Sequence, residues 1–406
     1  MRLLFICGAL LVTGPSLAAT ALMNGHWYQD GNFVAQTWYV QDGMLTQRKP
    51  AEIRESVDLQ GGFVVPPYAE AHNHNLQNPW LAQNFHQRYL NDGVFYGLMM
   101  CGSHQSYADT KAILSRQPLG IEVVGACISS SDGHPLRMAL RTEPGQPEVT
   151  AEEVYDQSFI VVDTLDDIAA KWPIFSDNEA SWVKIILVHH ERTERRGEEH
   201  YFGVNGLKAD VVVPLVDFLQ QRGLRVAAHV ESAADFSLAV KAGVDLIAHL
   251  PGYQWWQGYA PDLYRLSDDA IALAAEKQIS LVATAGVSPM FYSSKPEQLE
   301  RVKALQQQNL QRLQQAGVPI LIGSDRFDAN VLAEVDYLRK LKVFSDQQLL
   351  QLLVSDTARF VFPDRAIGLF SEGYEANLLV LDANPLEDWS ALRRIQLKMW
   401  RGQLLD

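Results

Sequence analysis

Cysteine is almost missing from this chain. Three occur in 406 residues, Cys7, Cys101 and Cys127, so no disulfide framework holds the fold together and an apolar core has to. Cys101 and Cys127 fall near the ends of adjacent predicted strands. Neighbouring parallel strands offer poor disulfide geometry, so two free buried thiols are expected, with a bond in an oxidising compartment as the alternative. Positive charge is also scarce: 34 basic against 48 acidic residues give a net charge of −14. That balance excludes nucleic acid and anionic membranes as partners. Long apolar runs are confined to "LLFICGALLV", Leu3 to Val12, too short for a helix crossing a bilayer, which needs about 20 residues. With Met1-Arg2 before it and "GPSLAATA" after it, this stretch reads as a secretory leader over residues 1–20, cut near Ala18 to Ala21. The expected product is periplasmic or secreted, with no membrane insertion once the leader is removed. Low-complexity tracts and repeats of 20–50 residues are lacking too.

What remains is alternation. From Val64 onward the apolar runs "VVPPYAEAHNH", "GVFYGLMMCG", "IEVVGACIS", "WVKIILVHH", "LRVAAHVES", "DLIAHLPG", "ISLVATAG" and "VPILIGSD" are separated by stretches of helical period. "ADVVVPLVDFLQQRG" and "AADFSLAVKAG" each end at a glycine, a usual helix stop. Eight strands alternating with helices predict an α/β chain, a (β/α)8 TIM barrel over residues 64–362. The flanks, 21–63 and 363–406, carry turn-punctuated alternating stretches such as "GNFVAQTWYVQDGML". Neither flank buries much alone, so one small β-sandwich built from both is the economical arrangement.

Barrel strands are buried and should be nearly pure apolar, so their polar residues carry information. The first strand ends in His72 and His74, which share a face because side chains alternate. Lys184 sits inside the fourth run, His229 and His249 end the fifth and sixth, and Asp325 ends the eighth. Singly, each has a bland explanation: a satisfied core histidine, a snorkelling lysine, a helix-capping aspartate. Together they fall at the C-terminal ends of five strands, the face where barrel enzymes work.

Lys184 discriminates most. Among Val, Ile and Leu an amine tends to lose its charge, and a neutral amine reacts with CO2 to a carbamate whose two oxygens can bridge two ions. The donors then divide: His72, His74 and Asp325 on one ion, His229 and His249 on the other, carbamylated Lys184 between. Imidazole and carboxylate without thiolate suit two divalent metal ions, most readily Zn. A hydroxide bridging them would attack a polarised carbonyl, with Asp325 as proton shuttle.

These residues resemble the amidohydrolase superfamily across nearly the whole mature chain. Its strand-one His-x-His looks like His72-Asn73-His74, its bridging lysine like Lys184, its later histidines like His229 and His249, and its shuttling aspartate like Asp325. "AVKAGVDLIAHL" and "SSSDGHP" are similar to the imidazolonepropionase-related and Xaa-Pro dipeptidase-like branch, in which a Gly-His after strand three lies near substrate; here that implies Gly133-His134. Glu70 stands where the superfamily usually has Asp and is expected still to orient a ligand imidazole; Asn377 replaces a common Asp. Deaminases of the superfamily show His-x-x-Glu and lack the lysine, whereas this chain has His229-x-Glu231 and Lys184.

The resemblance implies a metal-dependent hydrolase cleaving a C–N amide bond in a cyclic amide, dipeptide or N-acyl amino acid. The alternatives are a one-metal deaminase, a lactone or phosphotriester hydrolase, or a non-catalytic exported binding protein. The partner is a small-molecule substrate, with a homo-oligomer possible. Strand-to-helix loops set specificity. Arg192, in "HHERTERRGEEHYFG", is a candidate clamp for a substrate carboxylate, and Tyr253 and Trp255, in "PGYQWWQGYAPD", are candidates for an aromatic wall.

Overall fold

The computed structural model describes residues 19–141, 148–177 and 180–406. The leader therefore lies outside the described residues except for Ala19 and Thr20, which already belong to a strand. The chain divides into two compact units, one of residues up to Pro66 together with Leu369–Asp406, the other Pro67–Gly368.

The smaller unit is an eight-stranded mixed sheet in which the two chain ends interleave. Its long first strand, Ala19–Gln29, runs antiparallel to Asn32–Gln41 and parallel to Ile53–Asp58 and Phe63–Val65. Phe63–Val65 in turn pairs with Leu378–Leu381 from the other end of the sequence. Trp27 and Trp38 anchor the core, their rings 5.7 Å apart, and Phe370 meets Trp27 edge-on at 4.8 Å. Leu22, Val64, Leu378 and Val380 complete it from both ends of the chain. This is why neither end folds a sheet alone.

Among the described residues the larger unit holds ten strands: β1 (Tyr68–Asn73), β2 (Val94–Met99), β3 (Gly120–Val123), β4 (Cys127–Ser129), β5 (Phe159–Val161), β6 (Trp182–Ile186), β7 (Arg225–His229), β8 (Leu246–Ile247), β9 (Ser280–Val282) and β10 (Ile320–Leu321). Every pairing between them is parallel, in two sheets ordered β1–β2–β3 and β5–β4–β6–β7–β8–β9–β10. The run "IEVVGACIS" is two strands rather than one, and β5 is a short strand that the periodicity missed. Helices follow the expected signals. Ser232 caps Ala233–Ala242, with Asp235 closing the capping box and Gly243 ending it at φ 77°. Ala209–Gln220 buries Val211, Val212, Leu215, Val216 and Leu219, one apolar face.

The two cysteines depart from expectation. They are joined in a disulfide, with Cα atoms 5.2 Å apart. The objection to paired neighbouring strands does not apply, because β2 stops at Met99 and Cys101 lies beyond it. Its φ of 82° turns the chain off the strand direction, and Gly102 bonds back to Val124 and Gly125, beside Cys127.

Candidate metal centre

Hydrogen bonds at the strand ends bring the polar residues into reach. Ala71 N–H donates to Ile322 O at 2.8 Å, and Asp325 N–H to His72 O at 3.0 Å, which ties the end of β10 to β1. Gly323 permits this approach. A Cβ there would lie 2.5 Å from His72 N and 2.8 Å from His72 Cβ, so any side chain would push the two strands apart.

Around His72 the donors converge. Its Nδ1 donates to Ala248 O at 2.8 Å, which fixes the tautomer and leaves the Nε2 lone pair free. That Nε2 stands 3.3 Å from Lys184 Nζ and 3.4 Å from Asp325 Oδ1. His74 Nε2 reaches the same Asp325 oxygen at 3.2 Å, while its Nδ1 is held by Gln77. His249 Nδ1 lies 3.7 Å from Asp325 Oδ2 and 3.0 Å from Thr284 Oγ1. Donor atoms of His72, His249 and Asp325 all fall within 4.8 Å of one another. The His229 ring joins through His249, 4.5 Å between centroids.

Electrostatics suits a cation. Burial, reinforced by the Lys184 charge, pushes the His72 imidazole well below its usual range, and burial with the neighbouring His229 does the same to His249. Neutral imidazole is the form that binds metal. Burial lowers Lys184 to about 8, so the neutral amine is within reach at ordinary pH. Burial opposes the Asp325 charge, yet the imidazoles of His72, His74 and His249 hold its carboxyl well below the carboxylate range. His72 is sealed at 0 % side-chain exposure, whereas His74 and Asp325 keep 16 % and 19 %, so the cluster meets solvent on their side. Nitrogen and oxygen donors without a thiolate, two of them neutral by burial, fit a hard or borderline divalent ion.

The other expected residues divide. His134 stacks on His229 at 5.4 Å; burial and the neighbouring His229 push it down to about 3. Tyr253 lies 5.0 Å from His249. Trp255 packs instead against Tyr264 and Arg301, ring centroid distances of 6.0 and 5.4 Å. Arg192 is tied to Glu194 at 2.6 Å and lies over the Tyr259 ring. Glu70 orients no imidazole. Its carboxylate accepts from Ser324, from Asn73 at 2.8 Å and from Tyr89 at 2.9 Å, so it braces the turn that carries Asp325.

Two carboxylates of the site were given no role in the sequence reading, which noted Glu231 only for its spacing from His229. Glu231 lies two residues past His229, hence on its face of the chain, with Oε1 3.4 Å from His229 Nε2 and 3.3 Å from the Tyr253 hydroxyl. Trp256 Nε1 donates to its other oxygen. A carboxylate placed on Nε2 leaves Nδ1 of His229 as the free lone pair, the reverse of His72. Buried Asp235 accepts from the backbone N–H of His189 (2.7 Å), His190 (2.9 Å), Glu231 (3.2 Å) and Ser232 (3.0 Å) and from His190 Nδ1 (2.8 Å). His190, Glu191 and Asp235 also lie close enough for an ion, but these donors already occupy the Asp235 oxygens, so the group is a clamp joining the loops after β6 and β7. The capping-box pattern Ser232-x-x-Asp235 was the available signal.

No family model matches the chain. An ochratoxinase of Aspergillus niger is 28 % identical over 189 residues, 44 % of this chain and 37 % of that protein, so the chain spans well under half of the curated relative it matches. Among solved structures, a Xaa-Pro dipeptidase with methionine bound in its active site superposes with a TM-score of 0.75 at 16 % identity, covering 96 % of this chain and 100 % of that one. The A. niger ochratoxinase structure gives 0.74 at 17 % identity, covering 95 % of each chain.

Proposed function

We propose, from a fold shared with amidohydrolase-superfamily structures, that this chain is an exported metal-dependent hydrolase of C–N amide bonds. The observation that carries the reading is His72 Nε2, freed by the Ala248 carbonyl and facing both Lys184 Nζ and Asp325 Oδ1. A buried imidazole and amine facing a partly buried carboxylate, brought together from distant parts of the chain, have no mutual structural use that apolar residues would not serve better. The parallel strand order, with the Ala71–Ile322 hydrogen bond and the Gly102–Ala126 bridge at the two gaps between the sheets, supports a (β/α)8 barrel. The flanking sheet, interleaved from both chain ends, supports the reading of the two flanks as one small β-domain.

His72, His74 and Asp325 would hold one divalent ion and His229 and His249 a second, with carbamylated Lys184 shared. When bound, such ions supply Lewis acidity and an activated water. The chain's own residues do the rest. Asp325, charged and open on one side, takes a proton from the attacking water and returns it to the leaving nitrogen. Neutral His134 donates to or accepts from the substrate beside His229. Ala248, Gln77, Thr284 and Glu231 hold the four imidazoles in fixed orientations.

Export rests on the leader sequence, and the Cys101–Cys127 bond suits an oxidising compartment. A screen of the metal-reconstituted protein against amides, dipeptides, esters and lactones, scored by mass change, tests the activity. A gain of water on an amide, lost in Lys184→Ala, supports it. Ammonia release with one metal per chain would favour deamination, and no turnover by fully loaded protein would leave a binding protein.

A further inference from the structure

The turn after β9 is held more firmly than its length explains. β9 ends at Val282, and two residues later Thr284 lies in the left-handed region, at φ 41° and ψ 30°. A β-branched residue takes that conformation only where its surroundings impose it. Here one side chain does most of the imposing. Glu334, buried on the helix Val331–Leu341, accepts Ala285 N–H at 2.8 Å on one oxygen and Gly286 N–H at 2.7 Å on the other. Gly286 lets it in, since a Cβ there would lie 2.6 Å from Glu334 Oε2. Gln306 adds to the hold, donating to Ala285 O at 3.2 Å and to Ser288 Oγ at 2.8 Å.

The same device recurs at two other strand ends. His189 past β6 and Asp325 past β10 are also left-handed, at φ 46° and 50°. Each of those turns gives backbone N–H to a buried carboxylate, Asp235 in the first and Glu70 in the second. The turn after β10 carries a candidate ligand, Asp325 itself. The turn after β9 carries none; it carries the Thr284 hydroxyl, 3.0 Å from His249 Nδ1. With Nδ1–H given to that oxygen, Nε2 keeps its lone pair for an ion. The place of the hydroxyl follows from the backbone that bears it, so whatever fixes Thr284 fixes the ring. We infer that Glu334 is a positioning residue for the ion at His249, imposing the left-handed turn from which Thr284 orients the imidazole. This rests on the metal-centre reading. A carboxylate suits the task because it presents two acceptors side by side on one short, rigid group. Burial pushes its carboxyl up to about 8 against the pull of the two N–H groups, a penalty that an apolar filling would avoid.

Zinc alone is the probe, titrated into the metal-free full chain against a chelator that resolves two binding steps. Thr284→Val removes the hydroxyl and keeps the shape; it should weaken one step roughly 10–100-fold and spare the other. Glu334→Gln turns an amide N–H toward one of the two donors and should weaken the same step. The double variant should be no weaker than the more affected single one, and Thr284→Ser, which keeps the hydroxyl, should recover most of the loss. Losses that add in the double variant, or that fall on both steps, would overturn the proposal, since Glu334 would then only support the fold. So would a folded Glu334→Gln that binds zinc as the wild type does. Where Glu334→Gln fails to fold, Gly286→Ala displaces the carboxylate without removing it and takes its place in the comparison. NMR of nitrogen-labelled histidines in the metal-free protein reads the ring without an ion. The His249 signal, identified by its loss in His249→Gln, should show the proton on Nδ1 in the wild type and a mixture of tautomers in Thr284→Val and Glu334→Gln. A mixture in the wild type, or no change in the variants, sinks the assignment. A wild type that binds no zinc ends the metal-centre reading, and the tautomer alone then decides whether Glu334 positions His249.

Discussion

The imidazole of His72 and the amine of Lys184, 112 residues apart in sequence, stand 3.3 Å from one another in the buried interior of the larger unit. Two basic groups gain nothing from such closeness by themselves. Burial and the Lys184 charge both weaken the proton affinity of His72, and burial lowers that of Lys184 to about 8. The pair costs stability, and a third species between them, an ion or a carbamate, would repay it.

Lys184→Met should therefore separate stability from function. Replacing a buried ionisable group by an apolar one of similar length is often neutral or stabilising by about 1–4 kcal/mol. The metal-free variant should melt at or above the wild-type temperature while hydrolysis falls at least about 100-fold. A variant that both unfolds and loses activity would make Lys184 a structural residue.

Glu231 should be felt through His229. Loss of a carboxylate that orients a ligand imidazole typically costs roughly 10–100-fold in metal affinity. Glu231→Ala should show that loss by chelator competition, and Glu231→Gln, whose carbonyl can still accept, a smaller one. Unchanged affinity in both variants would remove Glu231 from the site.

Asp235 gives a pH signature. Burial works to raise its carboxyl, but hydrogen bonds from His190 and its other N–H donors prevail and hold it at about 2, below the ordinary 3.8. A depressed folded-state value means that its stabilisation is present above about pH 4 and is lost as the pH falls through about 2. Acid denaturation of the wild type should steepen over that interval, and Asp235→Asn should lack this component. At neutral pH Asp235→Ala should lose about 3–5 kcal/mol, since five N–H donors lose their acceptor.

The disulfide is checked by mass. Intact protein should show no thiol at Cys101 or Cys127 until reduced. Replacing both by Ala should cost about 3.5 kcal/mol, the chain-entropy value for a loop closed over 26 residues. Free thiols in protein purified from an oxidising compartment would contradict the bond.

The metal-centre candidates were legible because a strand leaves few places for a polar side chain. His72, Lys184, His229, His249 and Asp325 each interrupt an apolar run, and parallel alternation puts those interruptions at one end. Loops offer no such period. Nothing in "HHERTERRGEEHYFG" separates Arg192 from Arg195, because the difference is made by Glu194, Tyr201 and Trp256, which meet them only in the folded chain. Trp255 and Trp256 are adjacent in sequence, yet one packs on Tyr264 and the other reaches Glu231. Glu70 was misjudged for the same reason: its partner Ser324 comes from the far end of the unit. The disulfide depended on where β2 stops, and an apolar pattern locates strand ends only loosely.

The most direct test is elemental analysis of divalent metal in purified protein, counted per chain, beside Lys184→Ala. The account predicts close to two ions in the wild type and at most one in the variant, with hydrolysis lost on chelation and restored by the metal. A wild-type protein that binds none, or that binds as many as Lys184→Ala does and works equally well after chelation, would contradict it.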